Sequence, residues 1–490
     1  MKCVLIVPRL PSLSTRIAFP PQVPLGHVMV GSSLMRGGHE VVLLDGDVRK
    51  LSLRSTVRHA KDLQPDCILI GHPASTAGHP HAMQLAQSLR RELGSTPIGY
   101  GGLHPTYHAS EVLAAGDVDF VITHEAERVT RDLVDGLAKG PQGAFKAPGV
   151  MSRQQLIAQP TEPIVDLDEF RPIWSGPWQL HRYRAHGMRS AVVQFSRGCP
   201  RRCSYCGQWD FWKTWRHRTV ESFVSEIDEL SRLGARLFWI ADENWSLRQD
   251  LFLRLLEGLR SVNRGHHLIV AMESAHVIRD AAHLKLYREA GLTQLMLGLD
   301  GEDKDLLGSN PKRRADGQLA SVLDKVHAAG MTSIINHFMP ASGAGRPEDW
   351  DRLRACRADF YNTLQPTPHR WTSYGQRASG QIYNRDLSNW DYRMPVLARS
   401  RGEWLAKRWR AKETELRLNA PSALRAAWAM VRGRRPPAPL LARSAFWAGM
   451  VFVREVAVLI AATLTWLATY PCPRARKQPA SPKRSLVVLP

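Results

Sequence analysis

The sequence predicts an α/β protein built in two successive parts, a doubly wound parallel sheet and then a partial (βα)6 barrel, followed by a helical C-terminal region. Three observations carry that expectation. Two series of short apolar runs alternate with amphipathic stretches, separated by a Pro- and Gly-rich interruption. A dense array of cysteines, Cys199, Cys203 and Cys206, opens the second series. Beyond about residue 400 the alternation stops and basic, helix-like sequence takes over.

The 490 residues are enough for two or three domains with sizeable cores. A hydrophobic content of 44% and a charged content of 23% are ordinary for a folded protein. The formal net charge of +21 favours an anionic neighbour, either nucleic acid or the face of a membrane. Seven cysteines, three of them in one loop, fit a reducing cytoplasm. The opening MKCVLIVPRL runs straight into a buried-strand pattern with no secretory signal. The expected location is therefore cytoplasmic, with membrane association through the C-terminal region as the alternative.

The first part is expected over residues 1–140. CVLIVP (3–8), VVLLD (41–45), CILIGHP (67–73), IGYGG (98–102) and DFVITH (119–124) read as five buried parallel strands. Segments such as HAMQLAQSLRREL (81–93) have helical spacing between them. Ligands of such sheets bind outside the C-terminal strand ends. Here those ends carry Ser75, Thr76, Gly101, Gly102 and His104, small and polar residues that let a large planar or phosphorylated ligand approach the backbone. A ligand-free receiver-like domain would share the pattern. Residues 141–185 are Pro/Gly-rich and weakly periodic, as a domain junction is.

The second part is expected over residues 186–400. AVVQFSRG (191–198), ARLFWIADEN (235–244), HLIVAMESA (267–275), TQLMLGLDGE (293–302), TSIINHFMP (332–340) and DFYNTLQPTP (359–368) read as six strands separated by helices. Parallel barrels carry reactive groups at the C-terminal strand ends. That rule selects the cysteine loop after the first strand, Asp242 and Glu243 after the second, and Glu273 and Ser274 after the third. Gly298 and Asp300 follow the fourth, Asn336 and His337 the fifth, and His369 and Trp371 the sixth. Three thiolates in C-x-x-x-C-x-x-C spacing can grip three corners of a cubane cluster and leave one iron open. Zinc would want a fourth Cys or His in a tight second pair. The Asp242–Glu243 pair also reads as a helix cap.

With Tyr205 just before its last cysteine, the array resembles the signature of radical S-adenosylmethionine (SAM) enzymes. The resemblance implies a [4Fe-4S] cluster on Cys199, Cys203 and Cys206, with SAM on the open iron and reductive cleavage to a 5′-deoxyadenosyl radical. It further implies SAM contacts at Tyr205, Asp242, Glu243, Ser274, Gly298, Asp300 and Asn336. A low-potential electron donor such as flavodoxin or ferredoxin is implied as partner. The N-terminal part, through YGGLHPTYHASEVL and the HEAE turn, is similar to the cobalamin-binding domain fused ahead of many such enzymes. Ser75, Thr76, Gly101, Gly102, His104 and Glu125 would then line the cobalamin crevice. The D-x-H-x-x-G loop that gives cobalt a lower-face histidine is absent (Asp45–Lys50 stands near that place), and His124 replaces the first Gly of the usual GEGE turn.

Cys206, Gln208, Trp209, Phe211 and Trp212 match the C-x-Q-W-x-F-W segment of the anaerobic magnesium-protoporphyrin IX monomethyl ester cyclase group. The resemblance implies oxidative cyclisation of a tetrapyrrole, with cobalamin-dependent C-methylation as the alternative. The loop MPASGAGRPEDW replaces that group's G-x-E-x-E-T, and the third strand lacks its usual Arg. An RNA methylthiotransferase would carry a second cysteine trio upstream, where only Cys3 and Cys67 stand, so nucleic acid is not the expected partner. In the C-terminal region, 401–490, the apolar stretch 444–470 is broken by Arg454–Glu455. Its uninterrupted run falls short of the roughly 20 residues that span a bilayer. Flanking Trp and basic residues suggest interfacial anchoring, and a helical hairpin packed on the barrel is the plain reading.

Overall fold

The computed structural model describes residues 1–10, 21–140, 145, 147–157, 159–299, 316–340, 347–432, 449–450, 452–453 and 456–465. The first apolar series folds into strands β1 (Lys2–Val7), β2 (Glu40–Asp45), β3 (Cys67–Ile70), β4 (Ile98–Gly101) and β5 (Phe120–Ile122), all parallel. A sixth strand, β6 (Val150–Ser152), pairs antiparallel with β5 and gives the order β2-β1-β3-β4-β5-β6. The sequence pattern missed it because three residues carry no measurable period. Near-continuous burial of β1 and β3 reflects helices on both faces of the sheet. Helix His79–Leu93 starts where Pro80 can sit in the first turn without losing a hydrogen bond.

The second series gives β7 (Arg184–Ala185), β8 (Met188–Val193), the short antiparallel pair β9 (Ser196–Arg197) and β10 (Arg216–His217), then β11 (Leu237–Ile240), β12 (His267–Glu273), β13 (Leu292–Gly298), β14 (Thr332–Phe338) and β15 (Phe360–Leu364). Six parallel strands form a half-barrel in the order β15-β14-β13-β12-β11-β8, edged by antiparallel β7. Helix Val220–Arg232 shows how its outer wall is made. Thr219 caps it by accepting the Ser222 N–H, and Phe223, Ile227 and Leu230 bury one apolar stripe.

Register decides what faces inward. Glu273, Gly298, Asn336 and Asn362 stand in one row across β12 to β15, at the C-terminal rim. One layer deeper, Leu237, Trp239, Ile269, Met296 and Ile334 form an apolar lining on the same face. The alternate positions, Phe238, Val270, Leu295 and Ile335, pack under the helices.

The stretch between the two sheets is packed rather than loose. Trp174 and Trp178 are buried, and Trp174 donates its Nε1–H to Glu226 at 2.7 Å. Tyr183 donates its hydroxyl to Asp45, at the end of β2, at 2.8 Å. The C-terminal helix Arg401–Val431 docks on β15, where Asn419 accepts the Tyr361 N–H and donates back to its carbonyl.

Candidate active site between the two sheets

The cysteine loop leaves β9 through Gly198, whose φ of +89° and close approach to the Thr214 carbonyl exclude any side chain. The Cys206 N–H closes back on the Cys203 carbonyl at 3.1 Å. Cys203 is buried, Cys199 and Cys206 are half-buried, and none of the three forms a disulfide. Among the described residues no three His, Cys, Asp or Glu side chains are gathered as a single ion would require. A multi-iron cluster spreads its thiolate ligands wider, and three unbridged thiols on one turn fit it. The loop is braced from outside. Tyr374 donates its N–H to the Ser204 carbonyl at 3.0 Å, the Tyr205 ring packs 4.7 Å from that of Phe338, and a Cβ at Gly207 would strike Trp371.

Carboxylates surround the loop in different states of use. Asp242 accepts the Phe195 N–H at 2.8 Å, the Ser196 N–H at 2.7 Å and the Ser196 hydroxyl at 2.5 Å, so it fixes the backbone leading into the loop. Burial pushes its pKa up to about 7, against those donated bonds. Glu243 accepts the Gly198 N–H at 3.0 Å and the Trp212 Nε1–H at 2.8 Å. Glu273 takes the Arg201 guanidinium at 3.1 and 3.2 Å and the Asn244 amide at 2.8 Å. Asn244 Nδ2 also lies 3.7 Å from Cys199 Sγ, and its buried Oδ1 has no partner among the described residues. Sequence reasoning passed over Asn244 and Arg201. Position in ADEN, directly after the two acids, and between two cluster cysteines were the available signals.

Around the rim, Ser274 heads a short helix, Ser274–Arg279, with its hydroxyl 3.5 Å from the Gly298 carbonyl. Asn336 accepts from Asn362 at 3.0 Å on the inner face. His337 is one residue on and therefore on the other face, bonded to Thr363 at 3.1 Å and edge-on to Trp350 in the helical layer. Asp300 lies outside the described residues.

At the strand ends of the first sheet a histidine-rich crevice meets the barrel. Ser75 adopts a positive φ of 46°, and Thr76 Oγ1 stands 3.0 Å from His369 Nδ1 and 3.3 Å from His104 Nδ1. His79 packs 4.1 Å from His104, and Trp371 is sandwiched between Tyr107 at 5.1 Å and His369 at 4.6 Å. Gly102, at φ +115°, opens onto free space after Gly101. Four buried polar atoms here lack partners among the described residues: Ser75 Oγ, His72 Nδ1, His79 Nδ1 and His369 Nε2. Orphaned polar atoms beside an open glycine turn fit an amide-rich ligand such as cobalamin.

Burial also holds several histidines neutral, with His27 pushed down to about 4 and His72 to about 3. Their unfolded counterparts take up protons near 6.5, so stability is complete above that pH and declines as the pH falls toward 4. At pH 5 each is expected to have cost about 2 kcal/mol. Urea midpoints at pH 7.5 and pH 5 measure this, and His72→Asn is expected to flatten the dependence.

Glu125 does not face that crevice. Its two oxygens accept from Arg197 at 2.6 Å and Arg216 at 2.7 Å, while Glu127 pairs with the other arm of Arg197. Arg197, two residues before Cys199, is buried, and its guanidinium also lies 5.0 Å over the Trp212 ring. Burial opposes its charge, but Glu127 and Glu125 outweigh that and raise its pKa. Beside them, His124 occupies a left-handed conformation (φ +55°) at the place of the usual glycine, and its ring bonds the Phe211 carbonyl at 3.1 Å. Tyr107 donates to Asp210 at 2.8 Å. The Q-W-D-F-W helix is thus the surface on which the two parts are joined.

A half-barrel with a three-cysteine loop at its rim, closed by a doubly wound sheet, defines a cobalamin-type radical SAM protein. The radical SAM superfamily model matches residues 193–342 and the B12-binding domain model residues 20–134. The anaerobic magnesium-protoporphyrin IX monomethyl ester cyclase of Synechocystis sp. is 32% identical over 408 residues, 81% of each chain. The hopanoid C-3 methylase of Methylococcus capsulatus is 25% identical over 395 residues, 76% of this chain and 72% of the methylase. The chain belongs to the B12-binding radical SAM enzyme family that includes these cyclases. The cofactors of that family are a [4Fe-4S] cluster, SAM and cobalamin. The fold agrees with two solved structures. The OxsB radical enzyme with aqua-cobalamin and SAM bound has a TM-score of 0.67 at 14% identity, over 93% of this chain and 72% of OxsB. The TsrM methyltransferase of Kitasatospora setae, with cobalamin and a [4Fe-4S] cluster bound, has a TM-score of 0.63 at 15% identity, over 78% of this chain and 76% of TsrM.

Proposed function

We propose that this enzyme functionalises an unactivated carbon of a tetrapyrrole, by oxidative ring closure of a magnesium-protoporphyrin ester. The observation that carries this reading is the 32% identity to a cyclase of that name across four-fifths of both chains. Bound at their sites, the cluster and SAM supply an adenosyl radical and cobalamin a redox-active metal or methyl carrier. Cys199, Cys203 and Cys206 hold the cluster. The orphaned Asn244 Oδ1, beside Glu273, would accept from the SAM ammonium, and Arg201, held by Glu273 through Nε and Nη2, would offer its remaining edge to the carboxylate by a charge-assisted bond. Arg201, reaching in from the cysteine loop, thereby stands in for the arginine that the third strand lacks. Tyr205, Ser274, Gly298, Asp300 and Asn336 flank the rest of SAM. Asp242 and Glu243 act one step back, by fixing the loop that carries the ligands. Ser75, Thr76, Gly101, Gly102 and His104 line the cobalamin crevice, and Glu125 joins the parts. We place their divisions near residues 140, 185 and 400.

The apolar lining of Trp239, Ile269, Met296 and Ile334 suits a flat, water-poor substrate and keeps solvent from a radical. C-methylation is the second reading, favoured by the similarity to the hopanoid methylase. Anaerobic turnover with the magnesium-porphyrin ester, read by mass spectrometry, separates the two. Ring closure leaves the carbon count unchanged, a methyl transfer raises it by one, and unaltered porphyrin overturns the tetrapyrrole as substrate.

The electron donor in this reading is a flavodoxin or ferredoxin. Among the described residues no helix is long and apolar enough to cross a membrane. The exposed Leu424, Trp428, Val431, Val453 and Leu464, in a chain of net charge +21, suit the anionic face of one. Full-length protein is expected to sediment with phosphatidylglycerol vesicles at low salt. A chain ending at Arg432, which keeps Leu424, Trp428 and Val431 but removes Val453, Leu464 and the basic residues beyond, is expected to bind more weakly than the whole chain.

A further inference from the structure

The crevice contains five histidines close to one another, and they are not equivalent. His72 has its Nε2 bonded to the Tyr100 hydroxyl at 2.6 Å, and its Nδ1 is crowded against Gly78. His104 has its Nδ1 on Thr76, and His79 and His108 lie against the two sides of the His104 ring. His369 differs from these in coming from the barrel, on the loop after β15. The residue is 1% exposed, its carbonyl is fixed by the Thr372 hydroxyl at 2.7 Å, and Trp371 stacks on its ring at an interplanar angle of 15°.

The two ring nitrogens of His369 have separate fates. Nδ1 is held by Thr76 Oγ1 at 3.0 Å, while Nε2 is buried with no partner among the described residues. If Nδ1–H donates to Thr76, and the Thr76 hydroxyl hydrogen goes to His104 Nδ1, then Nε2 is left as a bare lone pair. A metal-binding imidazole is oriented in this way, by a bond from its other nitrogen to an outer partner that fixes the tautomer. Burial pushes the pKa of His369 down to about 3, so the ring is neutral at pH 7.

We propose that His369 Nε2 is the protein's nitrogen donor to the cobalt of the corrinoid bound in this crevice, a ligand presented from the barrel face. The proposal rests on the reading that cobalamin binds between the two sheets. It assigns an axial ligand to a chain whose first part lacks the D-x-H-x-x-G loop.

The test is electron paramagnetic resonance of the full-length holoenzyme in the cob(II)alamin state, grown with and without ¹⁵N-histidine. A nitrogen ligand splits each cobalt line into three with ¹⁴N and two with ¹⁵N. The cofactor's own benzimidazole, unlabelled, keeps the triplet. The expected result is a triplet that becomes a doublet on histidine labelling. The doublet is expected to disappear in His369→Gln, to persist in His79→Gln, and to broaden in Thr76→Val, where the ring loses its anchor. A triplet unchanged by labelling, lines with no nitrogen splitting, or a doublet that survives His369→Gln would overturn the proposal. The labelled wild-type protein decides the question of a histidine ligand even if His369→Gln fails to fold. Protein that retains no corrinoid after anaerobic loading would instead overturn the cobalamin reading on which it rests.

Discussion

Serine at Cys203 is expected to leave a folded protein whose SAM cleavage falls to the uncatalysed background. The thiol makes no disulfide, so its loss removes no covalent constraint, and Ser is close in size at this buried position. What changes is ligation. An alkoxide is a poor substitute for thiolate on iron, and with two cysteines left the turn cannot hold a cubane. The broad near-400 nm absorbance of anaerobically reconstituted protein is expected to vanish together with 5′-deoxyadenosine formation, while far-ultraviolet dichroism stays unchanged. Undiminished SAM cleavage in this variant would remove the basis of the functional reading. Asn244→Leu tests the same centre more gently, by taking away an amide beside Cys199 Sγ without touching a ligand.

Replacing Arg197 by Met is expected to cost about 3–5 kcal/mol of stability, because it strands Glu125 and Glu127 as buried charges with too few partners. Arg216 and the Ile164 N–H still serve Glu125, but among the described residues Glu127 has no second cation. Urea unfolding followed by tryptophan fluorescence measures the loss. A double change, Arg197→Met with Glu127→Gln, is expected to recover much of it, since Glu125 stays paired with Arg216 and no buried charge is left without a counterion. Equal instability in the single and double variants would mean that packing rather than charge holds the junction.

The cluster loop and both strand series were legible because each has a short-range signature. Fixed cysteine spacing, and runs such as CVLIV and LMLG bounded by turn residues, need no knowledge of the rest of the chain. Every predicted strand of the first five lies within a few residues of its observed place, and the six barrel strands likewise. What the sequence did not disclose depends on partners far along the chain. Glu125 and Arg197 are 72 residues apart, and nothing local says that their side chains meet. His337 and Asn336 were equally eligible until register put one under the helices and the other on the rim. Residues 141–185 read as a loose connection because buried tryptophans without periodicity give no pattern, yet Trp174 and Trp178 are fully enclosed.

The buried junction around Arg197 limits how this architecture can be recombined. Its acids come from the first half of the chain and its cation from the turn that leads into the metal-binding loop, so the halves are not interchangeable cassettes. A chimera that imported a front half without the acids of the HEAE turn would place an unneutralised guanidinium two residues from the first thiolate. Transplants within this lineage should therefore carry the turn and the loop as a single inherited unit.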